Sequence, residues 1–243
     1  MGKVAFVTGA SGDIGKAVSM QLSKDGYSVA LGFNNNKSSA FELSDKLNSQ
    51  GIKAIAVKCD ITDKLSISSA IEQIKKELGS VDLLVNNAGS ADIRLFTDNS
   101  FEDLSNIINT DLLGAMEVSR QVLLDMIHAK KGCIINISSV WGEKGASCEV
   151  AYSAAKAGLI GFTKALAREE GPSGIRVNCI SCGFIDTKMN SSLSREDKNA
   201  IIDDIPCGRL GTVQDIANAV SFIASEKADY INGQTIRVDG CWI

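Results

Sequence analysis

Tyr152 and Lys156, in the run Tyr152-Ser153-Ala154-Ala155-Lys156, place a phenol and an ammonium four residues apart. On a helix, residues at that spacing share a face, so the lysine charge stands close to the phenol oxygen. A neighbouring cation favours phenolate and is expected to pull the tyrosine below its ordinary pKa of about 10. A phenol tuned in that way exchanges a proton near neutral pH, as a general acid must. A second such stretch lies near the start of the chain. There Gly9-Ala10-Ser11-Gly12-Asp13-Ile14-Gly15 follows the apolar run Lys3–Thr8 and precedes an amphipathic segment from Lys16 to Asp25. Strand, glycine-rich turn and helix together direct backbone N–H groups and a helix N-terminus at a pyrophosphate. A tight turn whose glycines serve packing alone is the other reading of that cluster.

These residues need a scaffold, and the rest of the chain supplies the pattern of one. Apolar runs predict strands at Lys3–Thr8, Ser28–Phe33, Ala54–Lys58, Val81–Asn86, Cys133–Ser138, Arg176–Ile180 and Thr235–Val238. Helical periodicity falls between them, at Gly12–Asp25, Lys37–Gln50, Asp63–Leu78, Phe101–Ala129, Val150–Glu170 and Thr212–Ala224. Strands alternating with helices imply βαβ units. Right-handed crossovers then give an α/β fold, a doubly wound parallel sheet of about seven strands with helices on both faces. Its site is expected at the carboxyl ends of the strands. A length of 243 residues suits a single domain spanning residues 1–243.

Bulk properties exclude several classes of function. A net charge of −4 argues against a nucleic-acid surface. The apolar run before Gly9 is too short for a signal peptide, and no stretch approaches a membrane span, so a cytoplasmic protein is expected. Seven scattered cysteines read as free thiols rather than a disulfide framework. Cys179 and Cys182 have CxxC spacing, but there is no second CxxC and His128 is the only histidine. No metal site is expected.

Thr8-Gly9 through Gly15, Asn86-Asn87-Ala88-Gly89, Ser139, and Tyr152 with Lys156 together resemble the short-chain dehydrogenase/reductase family, over essentially the whole chain. The resemblance implies a Rossmann-type sheet and an NAD(P)-dependent oxidoreductase acting on CH–OH and C=O groups. Its cofactor would lie along Gly9, Ser11, Gly12, Asp13, Ile14 and Gly15, with Asn86, Ala88 and Gly89 on the adenosine side. Asp60 and Ile61 would border the adenine, although Asp60 also reads as part of a helix N-cap region. Gly183, Ile185 and Thr187 would meet the carboxamide, and Tyr152 and Lys156 the nicotinamide ribose. Ser139, thirteen residues before Tyr152, matches the serine that binds the carbonyl, with Ser138 the competing candidate. Asn109 matches the asparagine that breaks a long helix and links the lysine to solvent through water, although read on its own it is a surface helix residue.

NAD enzymes place an acid about 20 residues past the glycines, on the ribose 2′-OH. Here Phe33-Asn34-Asn35-Asn36-Lys37 occupies that region without one. Asn34 would tolerate a 2′-phosphate and Lys37 could add charge, so NADP (NADPH) is expected ahead of NAD. Against this, Gly12 stands where many NADP members carry a basic residue. Two further departures are Asp13, where the family usually has Gly or Ala, and Cys182, where it has Pro.

Two substrates compete. The segments Ile205–Gly211 and Tyr230–Thr235 resemble 3-oxoacyl-acyl-carrier-protein reductases, whose acidic carrier meets basic side chains such as Lys130 and Lys131. The stretches Ser138-Ser139-Val140-Trp141-Gly142-Glu143 and Gly145–Val150 resemble the elongation factor P 5-aminopentanone reductases, which reduce a ketone on a modified lysine of that factor. Glu149 could pair with the ammonium of such a substrate, assisted by Glu143 and by Trp141 as a cation–π wall. The alternative for Glu149 is a favourable place at a helix N-terminus. The resemblance also implies a homo-oligomer, a tetramer. A reductase-like fold kept only as a dinucleotide-sensing module would have lost Tyr152 or Lys156, and both are present.

Overall fold

In a computed structural model the chain is described over residues 2–90, 92–190 and 193–243. Seven strands form one sheet: β1 (Val4–Val7), β2 (Ser28–Phe33), β3 (Ala54–Lys58), β4 (Leu83–Asn86), β5 (Gly132–Ser139), β6 (Ile175–Cys182) and β7 (Thr235–Val238). Their order is β3-β2-β1-β4-β5-β6-β7, with every neighbouring pair parallel. The order reverses between β1 and β4, and that crevice is where open α/β sheets bind ligands.

The strands are buried on both faces, which is why they read as continuous apolar runs. Along β1, Ala5 and Val7 face a core shared with Val18 and Leu22 of α1 (Asp13–Lys24), Leu43 and Leu47 of α2 (Lys37–Ser49) and Val220 of α9 (Val213–Ala224). Val4 and Phe6 face the other core, with Ile67, Ile71 and Ile74 of α3 (Lys64–Glu77), Val122 and Met126 of α5 (Gly114–Ala129) and Leu166 of α7 (Val150–Glu170). The side-chain alternation of a strand thus divides one sheet between two helical layers.

The stretch expected as one helix over Phe101–Ala129 is α4 (Phe101–Ile108), a π turn at Asn109–Leu113, and α5. Two short helices carry no signal in the periodicity: α6 (Trp141–Lys144) and α8 (Arg195–Asp204). The second begins with a capping box in which Ser194 and Asp197 satisfy each other's backbone N–H groups. That Ser-x-x-Asp spacing is legible in the sequence. Among the described residues no helix is long and apolar enough to cross a membrane.

Candidate active site

The glycine-rich turn leaves β1 and enters α1 at the topological switch. At Gly15 an added Cβ would stand 2.4 Å from the Gly9 carbonyl and 2.8 Å from Ala10 Cα, so only glycine fits. The Asn86–Gly89 segment at the end of β4 braces this turn. Thr8 Oγ1 accepts from the N–H groups of Asn87 and Ala88 at 3.0 and 3.1 Å, and Asn87 Nδ2 donates to the carbonyls of Thr8 and Gly9 at 3.0 and 3.2 Å. The Asn86 side chain is directed into the interior, donating to Ser119 Oγ and Asn136 Oδ1. Only its backbone is left for a ligand. The tight turn and the free N-terminus of the 12-residue α1 fit a dinucleotide pyrophosphate.

Asp13, the departure within this turn, has its carboxylate engaged: Oδ2 accepts from the Lys188 N–H at 2.7 Å. It thereby ties the turn to the segment after β6. In that segment Ile185 is buried and bridges Gly211, while Gly183 N–H donates to the Val238 carbonyl. Asp60 is not the cap of α3; Asp63 is, and Asp60 Oδ1 accepts from the backbone and hydroxyl of Thr62. Ile61 is buried beside Gly114. At the carboxyl ends of β2 and β3, Lys58 Nζ donates to the Asn34 carbonyl at 2.6 Å, because the two strands pair Phe33 with Lys58. Lys58 is a cation that sequence reasoning missed, being 24 residues from Asn34 in the chain.

A cavity of about 400 Å³ opens at the carboxyl ends of β4, β5 and β6, lined among others by Ser139, Trp141, Glu149, Tyr152, Lys156 and Trp242. The two candidate serines differ in their partners. Ser138 Oγ donates to the Lys156 carbonyl at 3.0 Å. Ser139 Oγ accepts from the Trp141 N–H at 3.2 Å, which leaves its hydrogen free for the cavity. Lys156 lies one turn from Tyr152, its Nζ 5.4 Å from the ring centroid.

The expected lowering of Tyr152 does not hold in this site. Burial pushes the phenol above its ordinary value; Lys156 pulls it down but is outweighed, and Asp111, Cys182 and Glu149 push it further up. Burial also opposes the Lys156 charge, but Tyr152 and then Asp111 overcome it, so the ammonium is held above its ordinary value.

Asn109 is a second correction. It is exposed, and the residue on Lys156 is Asp111, with Oδ1 3.1 Å from Nζ. A π turn holds an extra residue, which rotates the next positions relative to a regular helix and brings Asp111 inward. Glu143 is a third, since it pairs with Arg237 at 2.7 Å rather than facing the cavity. Arg237 also donates to the Ile243 carbonyl. That contact holds the C-terminus in place, with the Trp242 ring tilted against Trp141 at 5.0 Å and edge-on to Phe184 at 6.3 Å between centroids. Trp242 is a wall residue that sequence reasoning did not find; it lies 101 positions from Trp141. Lys130 and Lys131 precede β5, so within one subunit they lie at the opposite end of the sheet from the cavity.

Comparison with known proteins matches this arrangement. A family model described as enoyl-(acyl carrier protein) reductase covers residues 9–242. The chain belongs to the short-chain dehydrogenase/reductase family. The oxidoreductase YmfI of Bacillus subtilis, of uncharacterized activity, is 41% identical over 248 residues, covering 100% of this chain and 99% of that protein. The 3-oxoacyl-[acyl-carrier-protein] reductase FabG of Escherichia coli is 43% identical over 239 residues, covering 98% of this chain and 96% of that protein. A crystal structure assigned provisionally as a gluconate dehydrogenase of Agrobacterium tumefaciens superposes with a TM-score of 0.95 at 30% identity, over 99% of this chain and 95% of that one. As a family member with these relatives, the chain is an NAD(P)-dependent oxidoreductase of the ketone-reducing type.

Proposed function

We propose that this single-domain reductase uses NADPH to reduce a ketone carrying a cationic amine, of the kind borne by the modified lysine of elongation factor P. The observation that carries this reading is Glu149. Its carboxyl is half-buried in the cavity, and burial alone raises its pKa. Among the described residues no hydrogen bond or ion pair engages that side chain, and as N-cap of α7 it makes no side-chain capping bond. A desolvated carboxylate without a partner favours an ammonium, and the indoles of Trp141 and Trp242 supply cation–π walls.

In this reading Ser139 directs its free O–H at the carbonyl oxygen, where negative charge develops. Tyr152 gives its proton to the forming alkoxide, and Lys156 stands beside the phenolate left behind. The chemistry the cofactor supplies when bound is hydride for the carbonyl carbon. The turn from Gly9 to Gly15, with Ser11, Gly12 and Ile14, would hold its pyrophosphate. Ala88, Gly89, Asp60 and Ile61 would border the adenosine, and Gly183, Ile185 and Thr187 the carboxamide. A 2′-phosphate is favoured over a bare 2′-OH because Asn34 stands beside Lys58 and no acid occupies residues 33–37. The protein would work in the cytoplasm as a homotetramer.

The second reading, reduction of a 3-oxoacyl group on acyl carrier protein, is favoured by the 43% identity to FabG. Glu149→Gln separates the two. It should lower kcat/KM for an amino ketone by about 10- to 100-fold, the scale of one lost charge-assisted hydrogen bond, and leave a neutral 3-oxoacyl thioester within a factor of about 2. Equal losses on both substrates would make Glu149 structural.

A further inference from the structure

The π turn carries a carboxylate to the place where the family resemblance implied a neutral amide. The Asp111 side chain has no exposed surface. Its oxygens take Lys156 Nζ at 3.1 Å, Ser90 N–H at 3.1 and 3.3 Å, and Ser90 O–H at 3.2 Å. Lys156 Nζ has one further hydrogen-bond partner among the described residues, the Ile137 carbonyl at 3.2 Å. A Cβ on Gly89 would come within 2.6 Å of Asp111 Oδ1 and 3.3 Å of Lys156 Nζ, so the chain closes tightly over the pair.

We propose that Asp111 is a positioning residue whose buried carboxylate fixes the Lys156 ammonium and offsets its charge, so that Tyr152 keeps its proton until an alkoxide forms beside it. This rests on the reading of Tyr152 as the proton donor. An ammonium alone on the Tyr152 face would favour phenolate. With a carboxylate against it, the pair acts on the phenol as a dipole, whose field is weaker than that of a lone charge. The other groups facing this centre are Glu149 ahead of α7 and the thiols Cys179 and Cys182 of β6. Burial pushes those thiols up to about 11 and about 12, so any charge they bring to this centre belongs to alkaline solution. In the transfer itself the Tyr152 O–H bond breaks, the proton joins the alkoxide oxygen, and a phenolate remains next to Lys156. An acid arranged in this way stays loaded over a wide pH range in the reductive direction. Alcohol oxidation, which starts from phenolate, would be confined to alkaline solution.

The test is an ultraviolet titration of tyrosinate absorbance on the full chain without cofactor, with Tyr152→Phe as the blank that removes the signals of Tyr27 and Tyr230. Asp111→Asn should lower the Tyr152 midpoint by about 1 unit, and the alkaline limb of ketone reduction should move down with it. The double variant Asp111→Asn/Lys156→Met leaves no buried charge unpaired and should titrate close to wild type. A single variant with an unmoved midpoint overturns the proposal. So does a double variant whose midpoint rises by about 1 unit, because Lys156 would then have been acting unopposed. Where the single variant does not fold, the double variant decides. Near-normal turnover in Tyr152→Phe would instead overturn the underlying reading of Tyr152 as the acid.

Discussion

Asp111→Ala gives the ion pair at the base of the cavity a measurable energy. The substitution removes every contact the carboxylate makes and leaves Lys156 Nζ, whose side chain is 6% exposed, with the Ile137 carbonyl as its one remaining hydrogen-bond acceptor among the described residues. Removing one partner of a buried ion pair costs about 3–5 kcal/mol, because the remaining charge is left without compensation. The Ser90 N–H and O–H also lose their acceptor, which places the expected loss in the upper part of that range. Asp111→Asn keeps an acceptor oxygen for Lys156 or Ser90 and should cost less, about 1–3 kcal/mol. Urea unfolding followed by circular dichroism, with wild type and both variants at one pH, measures these differences directly. Raising the pH should narrow the gap for the alanine variant, since a neutral amine needs no counter-charge. An alanine variant that loses less than about 1 kcal/mol would refute the reasoning, because Lys156 would then be reaching solvent or another acceptor.

Tyr152→Phe should retain cofactor binding, read by fluorescence titration with NADPH, while turnover falls at least about 100-fold, the scale of a lost general acid; a near-normal rate would remove Tyr152 from that role. Stability should be level through neutral pH and fall in alkali. Burial lifts Cys59 and Cys182 from 9.0 to about 12, Cys133 and Cys179 from 9.0 to about 11, and Tyr27 from 10.0 to about 12. Each raised group contributes its full stability below its unfolded value and loses it as pH rises toward the folded one, so the window is about pH 9–12. A melting temperature that stays constant from pH 8 to 11 would contradict this.

Much of the fold is legible in the chain because its signals are local. Strands buried on both faces read as unbroken apolar runs, and the turn from Gly9 to Gly15 lies between a strand and a helix. Tyr152 and Lys156 share a face through regular helical spacing. What sequence reasoning missed depends on departures from regularity or on contacts between distant segments. The resemblance assigns the link to Lys156 to Asn109, which read alone is a surface helix residue and is exposed, while a π turn that breaks the helical period sets Asp111 against Lys156. Glu143 reads as an available acid because its partner Arg237 lies 94 residues away. Trp242 becomes a cavity wall only through its ring contacts with Trp141 and Phe184. Lys130 and Lys131 have the right charge for an acidic carrier, but strand direction puts them at the far end of the sheet within one subunit. Lys156 does pull on Tyr152, but burial first and the Asp111 carboxylate with it outweigh that pull, and neither is revealed by a four-residue spacing.

The most direct test of the proposed substrate class is NADPH consumption by the purified wild-type protein with two ketones side by side, an amino ketone mimicking the modified lysine and a neutral 3-oxoacyl thioester. The Glu149 cavity predicts a higher kcat/KM for the amino ketone, with the advantage shrinking as salt screens the charge pair. A higher kcat/KM for the thioester would contradict it and return the protein to acyl-chain reduction.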